Sequence, residues 1–321
     1  MPRPTLLITR KWPERAEARA ARDYEVRLNE DDRPISAGKL AEAARGCDAL
    51  MPTVTDRLDA ATIEALPSSV KVIANAAVGY DHIDIPAATA RGIAVTNTPD
   101  VLTEATAEIA ILLMLGAARS ATVATRTLRQ GEWKNWSPTG MLGIEVSGKR
   151  MAILGMGRIG KAVARRARAF GMEIHYHNRR ALDAGEAQGA IFHDTPESLF
   201  EVADVLSINC ASTPETRGLI DAKRLALLPD EAVLVNTARG DIVNDKALIA
   251  GLRAGRPAAA GLDVFNNEPD FDKTYLDLDN AFLLPHLGSA TLKTRTAMAE
   301  RALDNLDAFF AGDTPGDLVT A

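Results

Sequence analysis

The sequence of 321 residues has few cysteines and no concentration of charge of one sign. Its two cysteines, Cys47 and Cys210, lie far apart and have no metal-type spacing with histidine. This predicts neither a disulfide framework nor a zinc site and favours a reducing compartment. The net charge is −6 and no long acidic or basic block occurs. We therefore expect neither a nucleic acid nor a membrane surface as a partner.

Long hydrophobic runs are also missing. The longest, from Ile109 to Ala118, is well below the ~18 residues that a membrane span needs, and it predicts a buried helix instead. The short apolar run from Thr5 to Thr9 is followed directly by Arg10 and is too brief for a secretory signal. These two observations lead us to expect a cytoplasmic protein.

What the sequence does contain is a sustained alternation of strand and helix patterns, in a chain long enough for two domains of about 100–200 residues each. Five predicted strands come first: Leu6–Thr9, Tyr24–Leu28, Ala49–Met51, Val70–Ala74 and Ile93–Thr96. Six more follow residue 150: Met151–Leu154, Glu173–Tyr176, Val205–Ile208, Ala232–Val235, Ala259–Leu262 and Phe282–Leu284. The alternation predicts an α/β fold with two doubly wound parallel-sheet domains, Rossmann-like or flavodoxin-like.

Two long helices are predicted in addition. Thr103 to Arg119 opens with start signals, Thr103 and Glu104, and continues as an unusually apolar interior helix between the two strand sets. Leu292 to Phe310 has a helical apolar pattern at the end of the chain. Because this last helix is too short to form a domain, we expect it to pack on an earlier one.

A glycine-rich string, Gly155-Met156-Gly157-Arg158-Ile159-Gly160, follows a predicted strand and opens a helical stretch, Lys161–Phe170. In this setting the first glycine permits a tight turn, the second lets the backbone approach a pyrophosphate, and the third allows close packing of strand and helix. Amides at the helix N-terminus then bind the phosphates. The alternative is a glycine-rich turn without a ligand. We favour a nicotinamide-dinucleotide-dependent oxidoreductase.

The residues after the second strand of that unit indicate which dinucleotide is bound. A site that prefers NAD places an acidic residue there for the ribose 2′-hydroxyl, but this sequence has Asn178-Arg179-Arg180. Two guanidinium groups suit a 2′-phosphate, so NADPH is the expected cofactor, with NADH possible but weaker. The alternative is a solvated strand end whose arginines bind nothing.

Three polar residues, Arg239, Glu268 and His286, follow three successive predicted strands. Reduction of a 2-oxo acid needs a cation for the carboxylate, a proton donor for the carbonyl oxygen and a group that maintains the donor. Arg239 suits the first role, His286 the second, and Glu268 would orient and charge the imidazole. Taken singly, they also fit a surface ion pair, a loop charge and a core histidine. Their convergence at one sheet edge is the assumption behind the catalytic hypothesis.

With these motifs, the chain resembles the D-isomer-specific 2-hydroxyacid dehydrogenase family over nearly its whole length, in particular the glyoxylate/hydroxypyruvate reductase branch. The motifs that carry the resemblance are Val78–Asp84, Thr98–Glu104, Gly155–Gly160, Thr237–Gly240, Gly261–Pro269 and Pro285–Thr291. The resemblance implies a discontinuous substrate domain of residues 1–98 plus 287–321 and a cofactor domain of residues 99–286. It also implies an active site in the cleft between the domains.

The resemblance further implies roles for individual residues. Val78 and Gly79 amides, with Arg239, would bind the substrate carboxylate, and Asp263 would lie near the nicotinamide. Ser289 and His286 join the substrate-binding set. The cofactor-lining positions, besides the glycine loop and residues 178–180, are Thr106, Cys210, Pro214, Thr237, Ala238, His286 and Gly288. A homodimer is implied, joined through the cofactor domains and an arm at residues 119–149, where Trp133 and Trp136 fit ordinary packing or a role at the partner's site.

The expected reaction is NADPH-dependent reduction of glyoxylate or hydroxypyruvate to the D-2-hydroxy acid. One alternative is a reductase of larger 2-oxo acids, such as phenylpyruvate or 2-ketogluconate, with Met51, Leu102 and the arm limiting substrate size. A different class of alternative is a dinucleotide-sensing binding protein like the family's corepressor relatives, which the complete set of Arg239, Glu268 and His286 disfavours.

Overall fold

The computed structural model describes residues 3–320 and divides the chain into two compact units. The first runs up to Leu102 and resumes at Ser289, and the second is Thr103–Gly288. The sequence analysis placed these divisions after residues 98 and 286. The second division falls later because the backbone N–H groups of Leu287 and Gly288 donate to a side chain of the second unit, at 2.6 and 2.8 Å.

The elements follow one another in strand and helix order along the chain. They are β1 (Thr5–Ile8), α1 (Glu14–Asp23), β2 (Glu25–Leu28), α2 (Ala37–Ala43), β3 (Ala49–Met51), α3 (Ala60–Ala65), β4 (Val72–Ala74), α4 (Ile85–Ala90), β5 (Ala94–Thr96), α5 (Thr103–Ala118), α6 (Ala121–Arg129), β6 (Arg150–Leu154), α7 (Arg158–Arg168), β7 (Glu173–His177), α8 (Ala184–Ala187), β8 (Ile191–Phe192), α9 (Pro196–Phe200), β9 (Val205–Ile208), α10 (Ala222–Leu225), β10 (Val233–Asn236), α11 (Asp245–Ala254), β11 (Ala259–Leu262), β12 (Ala281–Leu283) and α12 (Leu292–Ala311). Short 3-10 helices lie at Gly240–Ile242 and Lys273–Asp277.

The first unit is a five-stranded parallel sheet of order β2-β1-β3-β4-β5. Side chains of a strand point alternately to the two faces, so Leu6 and Ile8 enter one core and Leu7 enters the other. The C-terminal helix α12 packs on the Leu6 face, where Leu303 and Leu306 are buried. The expectation that this helix joins an earlier domain is confirmed.

The second unit is a seven-stranded parallel sheet of order β12-β11-β10-β9-β6-β7-β8. The prediction of six strands was therefore one short. The missed strand, β8, has two residues, lies at the sheet edge beside β7, and is too short to show a period-2 pattern. The apolar helix α5 packs on this sheet so closely that a Cβ on Gly261 of β11 would lie 2.6 Å from the carbonyl oxygen of Leu113.

Helix α5 accounts for the longest apolar run of the sequence. Among residues 3–320, no single helix is both long and apolar enough to cross a membrane. Helices α5 and α6 reach that length and composition only as a pair bent by 72°. Much of α5 is core: Leu113 and Met114 are fully buried.

The strand order of the second unit indicates where a ligand would bind. The chain runs outward from β6 to β7 and β8 on one side and from β9 to β12 on the other, so the order reverses between β6 and β9. Parallel α/β sheets bind ligands beyond the carboxyl ends of their strands at such a reversal. The glycine loop follows β6, and Cys210 follows β9, so both lie at that point.

Candidate active site

The glycine loop joins β6 to α7, and each of its three glycines has a different environment. Gly155 has φ +94°, and a Cβ there would lie 2.5 Å from the backbone nitrogen of Cys210. A Cβ on Gly160 would lie 2.5 Å from the carbonyl oxygen of Gly155. A Cβ on Gly157 would meet nothing within 4 Å. The first and third glycines are therefore required by packing, whereas the second faces open space.

That open space lies at the N-terminus of α7. An α-helix leaves the N–H groups of its first turn without an intrahelical acceptor, and its dipole favours an anion there. Gly157 is the N-cap residue and has no side chain that could accept from those N–H groups. The loop therefore fits the pyrophosphate of a dinucleotide, which would approach the backbone where Gly157 leaves room.

Met156 and Asn178 hold the loop in this conformation. The Met156 side chain is buried in the core, and its backbone N–H donates to the Oδ1 of Asn178 at 2.6 Å. Asn178 follows β7, and it was predicted together with Arg179 and Arg180 as part of the ribose-phosphate site. The structure connects its side chain to the glycine loop, while Arg179 and Arg180 are exposed. No carboxylate lies between Glu173 and Asp183 in the sequence.

His286 and Glu268 form a hydrogen-bonded pair. The Nδ1 of His286 lies 2.7 Å from the Oε2 of Glu268, and the other carboxylate oxygen, Oε1, accepts the backbone N–H of Phe265 at 2.7 Å. Both side chains are about one-third exposed, at 35% and 32%. Because an ionised carboxylate only accepts, Nδ1 carries the hydrogen in this pair and Nε2 is the atom left for a ligand.

Asp263, at the end of β11, holds the backbone around His286. Its backbone carbonyl accepts the N–H of His286 at 2.9 Å, and its carboxylate accepts the N–H groups of Leu287 and Gly288. Burial raises the pKa of Asp263, although these N–H groups and the nearby imidazole oppose that shift. His286 has φ +55°, a left-handed conformation that is unfavourable for a residue with a Cβ. The three hydrogen bonds that Asp263 accepts stabilise that conformation.

Thr106 extends this arrangement to helix α5. Its buried hydroxyl donates to the carbonyl oxygen of Gly288 at 3.2 Å. The resemblance assigned Thr106 and Gly288 to the cofactor-lining set. In the structure the two residues connect α5 to the loop that carries His286.

Arg239 lies in a turn after β10 that Asn236 shapes. Asn236 is buried; its Oδ1 accepts the N–H of Ala238 at 3.0 Å, and its Nδ2 donates to the carbonyl oxygen of Arg239 at 2.8 Å. The half-buried Arg239 side chain also donates from Nη1 to the carbonyl oxygen of Ala238. A Cβ on Gly240 would lie 2.3 Å from the nitrogen of Asn266, so this turn packs closely against the loop of Glu268.

Asp241 connects this turn to the loop after β9, which carries Cys210 and Pro214. Its Oδ2 accepts from the hydroxyl of Ser212 at 2.7 Å and from the Nε of Arg217 at 3.2 Å. Asp241 and Asn236 had no predicted role, because a polar residue at a strand end has no distinguishing local pattern.

Burial raises the pKa of the Cys210 thiol to about 11, so the thiol is protonated at neutral pH and is no nucleophile.

The remaining histidines of the second unit are engaged elsewhere. His175 is buried, with Nε2 at 3.0 Å from Glu173 and Nδ1 at 2.9 Å from the Nε2 of His193. The Nδ1 of His177 donates to the carbonyl oxygen of His193 at 2.8 Å. Burial lowers the pKa of His193. His286 follows the end of β12, is paired with the Glu268 carboxylate, and has a side chain that is 35% exposed.

Val78, Gly79 and Ser289, the other predicted substrate residues, belong to the first unit. Val78 and Gly79 lie in the loop between β4 and α4 and are half-buried. Ser289 is also half-buried and lies just before α12, where its carbonyl oxygen accepts the N–H of Thr291 at 2.7 Å.

Comparison with known proteins identifies the family. The model of the D-isomer specific 2-hydroxyacid dehydrogenase NAD binding domain matches residues 111–288. A glycerate dehydrogenase from Hyphomicrobium methylovorum is 43% identical over 314 residues, which cover 97% of this chain and 98% of that protein. The chain belongs to the D-isomer-specific 2-hydroxyacid dehydrogenase family. This confirms the resemblance drawn from the motifs, and with it an oxidoreductase fold of two parallel-sheet α/β units.

Two further relatives of this dehydrogenase have more specific names. A glyoxylate reductase from Thermococcus onnurineus is 44% identical over 322 residues, covering 99% of this chain and 96% of that protein. An NADPH-dependent glyoxylate/hydroxypyruvate reductase from Sinorhizobium meliloti, solved in complex with NADP and malonate, has a TM-score of 0.87 at 36% identity. That match covers 99% of this chain and 97% of the solved one.

Proposed function

We propose that this dehydrogenase reduces a small 2-oxo acid, glyoxylate or hydroxypyruvate, to the D-2-hydroxy acid and prefers NADPH. The observation that carries the proposal is the His286–Glu268 pair, 2.7 Å apart, at the same sheet edge as a glycine loop with room for a pyrophosphate. The names of the relatives, a glycerate dehydrogenase and glyoxylate reductases, support the substrate class.

Each role in the proposed reduction is assigned to the cofactor or to one side chain. A nicotinamide dinucleotide bound at the glycine loop would supply the hydride. Arg239 would bind the substrate carboxylate and polarise the oxygen of the 2-oxo group, because a guanidinium group presents two parallel N–H donors. His286 would donate a proton from Nε2 to that oxygen. Glu268 stabilises the imidazolium and prevents the ring from turning, since its second oxygen is held by the N–H of Phe265.

The first unit contributes to the proposal through the family's motif. Val78 and Gly79 would bind the substrate carboxylate through their backbone amides, together with Ser289. We accordingly propose that the first unit is the substrate domain and the second the cofactor domain. Thr237, Ala238, Cys210 and Pro214 remain candidates for the cofactor's surroundings, as do Thr106, Asp263 and Gly288.

The substrate assignment is tested by steady-state kinetics. NADPH and NADH are each paired with glyoxylate, hydroxypyruvate, pyruvate, phenylpyruvate and 2-ketogluconate, and we expect the highest kcat/KM for glyoxylate or hydroxypyruvate with NADPH. The product from hydroxypyruvate is analysed by chiral chromatography, because glycolate has no stereocentre, and D-glycerate is expected. A protein that oxidises NADPH with none of these acids would refute the proposal.

His286 has its own test. Replacing a general acid typically lowers the rate about 10²–10⁴-fold, so His286→Gln should lower kcat by that order while the Kd for NADPH is retained. His193→Gln is the matched control, because His193 lies after β8 and is hydrogen-bonded to His175. Equal kcat in the wild type and His286→Gln would exclude His286 as the acid.

The NADPH preference rests on the exposed Arg179 and Arg180 after β7. A hydrogen bond to a charged group contributes about 1.5–3 kcal/mol, so the double variant Arg179→Ser/Arg180→Ser should raise the KM for NADPH at least about 10-fold. The KM for NADH should change little, because NADH lacks the 2′-phosphate. Arg253→Ser, at an exposed position on α11, is the control. A wild type that prefers NADH would contradict this part of the proposal.

We also propose a homodimer formed through the arm at residues 119–149. Isolated exposed apolar side chains are normal, but this segment concentrates several of them, a pattern typical of an interaction surface. Trp133, Trp136 and Leu142 are 57%, 78% and 73% exposed, and Leu128 of α6 is 64% exposed.

A further inference from the structure

The loop of residues 76–80 in the first unit is held by two asparagine side chains. Asn75, directly after β4, is fully buried, and its Nδ2 donates to the carbonyl oxygens of Gly79 at 3.0 Å and Ala77 at 3.3 Å. Asn97, directly after the neighbouring strand β5, donates from Nδ2 to the carbonyl oxygen of Val78 at 2.9 Å. Three successive carbonyl groups therefore have side-chain donors.

Fixing these carbonyls also fixes the N–H groups between them. In a trans peptide unit the C=O of one residue and the N–H of the next point in opposite directions. The cis bonds of the described chain both precede proline, at Pro257 and Pro269, so the peptides of this loop are trans. The bond to the Ala77 carbonyl thus sets the direction of the Val78 N–H, and the bond from Asn97 to Val78 sets that of the Gly79 N–H.

The amide of Asn75 is itself oriented by a neighbour. The Nε2 of His82 lies 3.2 Å from its Oδ1, so the oxygen faces the imidazole and the NH₂ group faces the loop carbonyls. The loop carbonyl of Ala77 receives a second donor, the backbone N–H of Thr98, at 3.0 Å.

Asn97 is anchored by the C-terminal segment. Its backbone N–H donates to the carbonyl oxygen of Asp317, and its carbonyl oxygen accepts from the Nδ2 of Asn305, both at 3.2 Å. The same Nδ2 donates to the Asp317 carboxylate at 3.0 Å, and Arg301 binds that carboxylate through Nε and Nη2. Asn305 and Asp317 are buried, so this hydrogen-bond network fixes the backbone of Asn97.

We propose that Asn75 and Asn97 are positioning residues that preset the amides of Val78 and Gly79 as a binding site for the substrate carboxylate. The inference rests on the proposed function, which assigns carboxylate binding to those two amides. Backbone donors fixed before the ligand arrives bind an anion without a cost of reorganisation. Asparagine suits the task because it is a neutral donor, whereas a carboxylate at either position would repel both the loop carbonyls and the substrate.

The test compares Asn97→Ala with Asn280→Ala. Asn280 is the matched control, because its Nδ2 also bridges to backbone carbonyls, those of Leu252 and Ala258 at 2.9 Å, but in the second unit. Asn97 is only half-buried, so its variant is expected to fold, and thermal unfolding of both variants checks this. Asn75→Ala follows as a second variant.

The readout is the change in kcat/KM for a substrate with a carboxylate, compared with the change for a substrate without one. Misplacing a binding group by about 1 Å costs up to about 100-fold in rate, so Asn97→Ala should lower kcat/KM for glyoxylate about 10- to 100-fold. Reduction of methylglyoxal, which has no carboxylate, and the Kd for NADPH should not change. Equal losses with both substrates, or no loss with glyoxylate, would overturn the inference.

A binding measurement separates this inference from the proposed reaction. Calorimetric titration with oxalate in saturating NADPH measures carboxylate binding without turnover. We expect oxalate to bind the wild type and Asn280→Ala alike and Asn97→Ala at least about 10-fold more weakly. If the wild type reduces no 2-oxo acid, the proposed function fails, while this titration still decides about Asn97. A wild type that does not bind oxalate, or equal affinities in all three proteins, refutes the positioning role.

Discussion

The glycine loop allows folding and cofactor binding to be separated by two substitutions of the same kind. Gly157→Ala places a methyl group where nothing lies within 4 Å, and φ at this residue is −83°, which alanine adopts readily. Gly160→Ala places the same group 2.5 Å from the carbonyl oxygen of Gly155 and 3.0 Å from the Cγ2 of Ile153. The first change fills space that a pyrophosphate would need, and the second fills space that the protein already occupies.

The expected magnitudes follow from these distances. Overpacking a close contact costs about 1–3 kcal/mol, and each kcal/mol lowers the Tm of a domain of this size by about 2–4 °C, so Gly160→Ala should unfold at a lower temperature. Gly157→Ala should change stability by less than about 1 kcal/mol. If its methyl group removes one hydrogen bond to the pyrophosphate, worth about 1.5–3 kcal/mol, the Kd for NADPH rises about 10- to 150-fold.

The assay is thermal unfolding without cofactor, together with titration of NADPH and NADH followed by nucleotide fluorescence. Gly157→Ala should weaken both nucleotides to the same extent, because the pyrophosphate is common to both. If it binds them as tightly as the wild type, the pyrophosphate does not lie at this loop. If Gly160→Ala unfolds at the wild-type temperature, the close contact between α7 and the end of β6 does not exclude alanine at residue 160.

Two further predictions concern stability and assembly. Burial would raise the pKa of Asp204, but hydrogen bonds from the Arg150 side chain and backbone N–H outweigh burial and hold this pKa below its usual value. Asp204→Asn should therefore lower the free energy of unfolding by about 1–3 kcal/mol at pH 7. Because the folded pKa is lowered, this contribution is complete above the unfolded pKa of about 3.9 and disappears as the pH falls through the folded value; a difference in urea unfolding that stays constant down to low pH would contradict it. In light scattering with size-exclusion chromatography, Leu142→Asp in the arm should yield a monomer and Leu276→Asp, at a 60% exposed leucine outside the arm, a dimer; a dimeric Leu142→Asp would argue against the arm.

Local patterns predicted much of the fold. The strands of the first unit were placed to within two residues of their bounds, because each is a short apolar run between polar turns. The edge strand β8 was missed, since two residues have no period and its existence depends on pairing with β7. The helix predicted at Lys161–Phe170 begins earlier, at Arg158, because its first turn includes the last glycine of the loop.

The candidate site shows the same division between local and tertiary information. The pair formed by His286 and Glu268 was predicted from residue types at strand ends, because the carboxyl ends of parallel strands share one edge. Asp263 was expected only beside the nicotinamide, yet its carboxylate holds the loop of His286. Asn75 and Asn97 were given no role, because their contacts depend on the proximity of β4 and β5.

The sequence by itself determined the fold class, the glycine loop and the chemical identity of the candidate acid, His286, and of the carboxylate that supports it, Glu268. These depend on the order of residues within a few turns of chain, where hydrophobic period, glycine spacing and residue type act locally. Only the tertiary structure decided which side chains hold the loops in place, among them Asn178 on Met156 and Asp263 on Gly288. The physical reason is that a hydrogen bond depends on distances of a few ångströms between atoms whose residues are 22 and 25 positions apart in the chain.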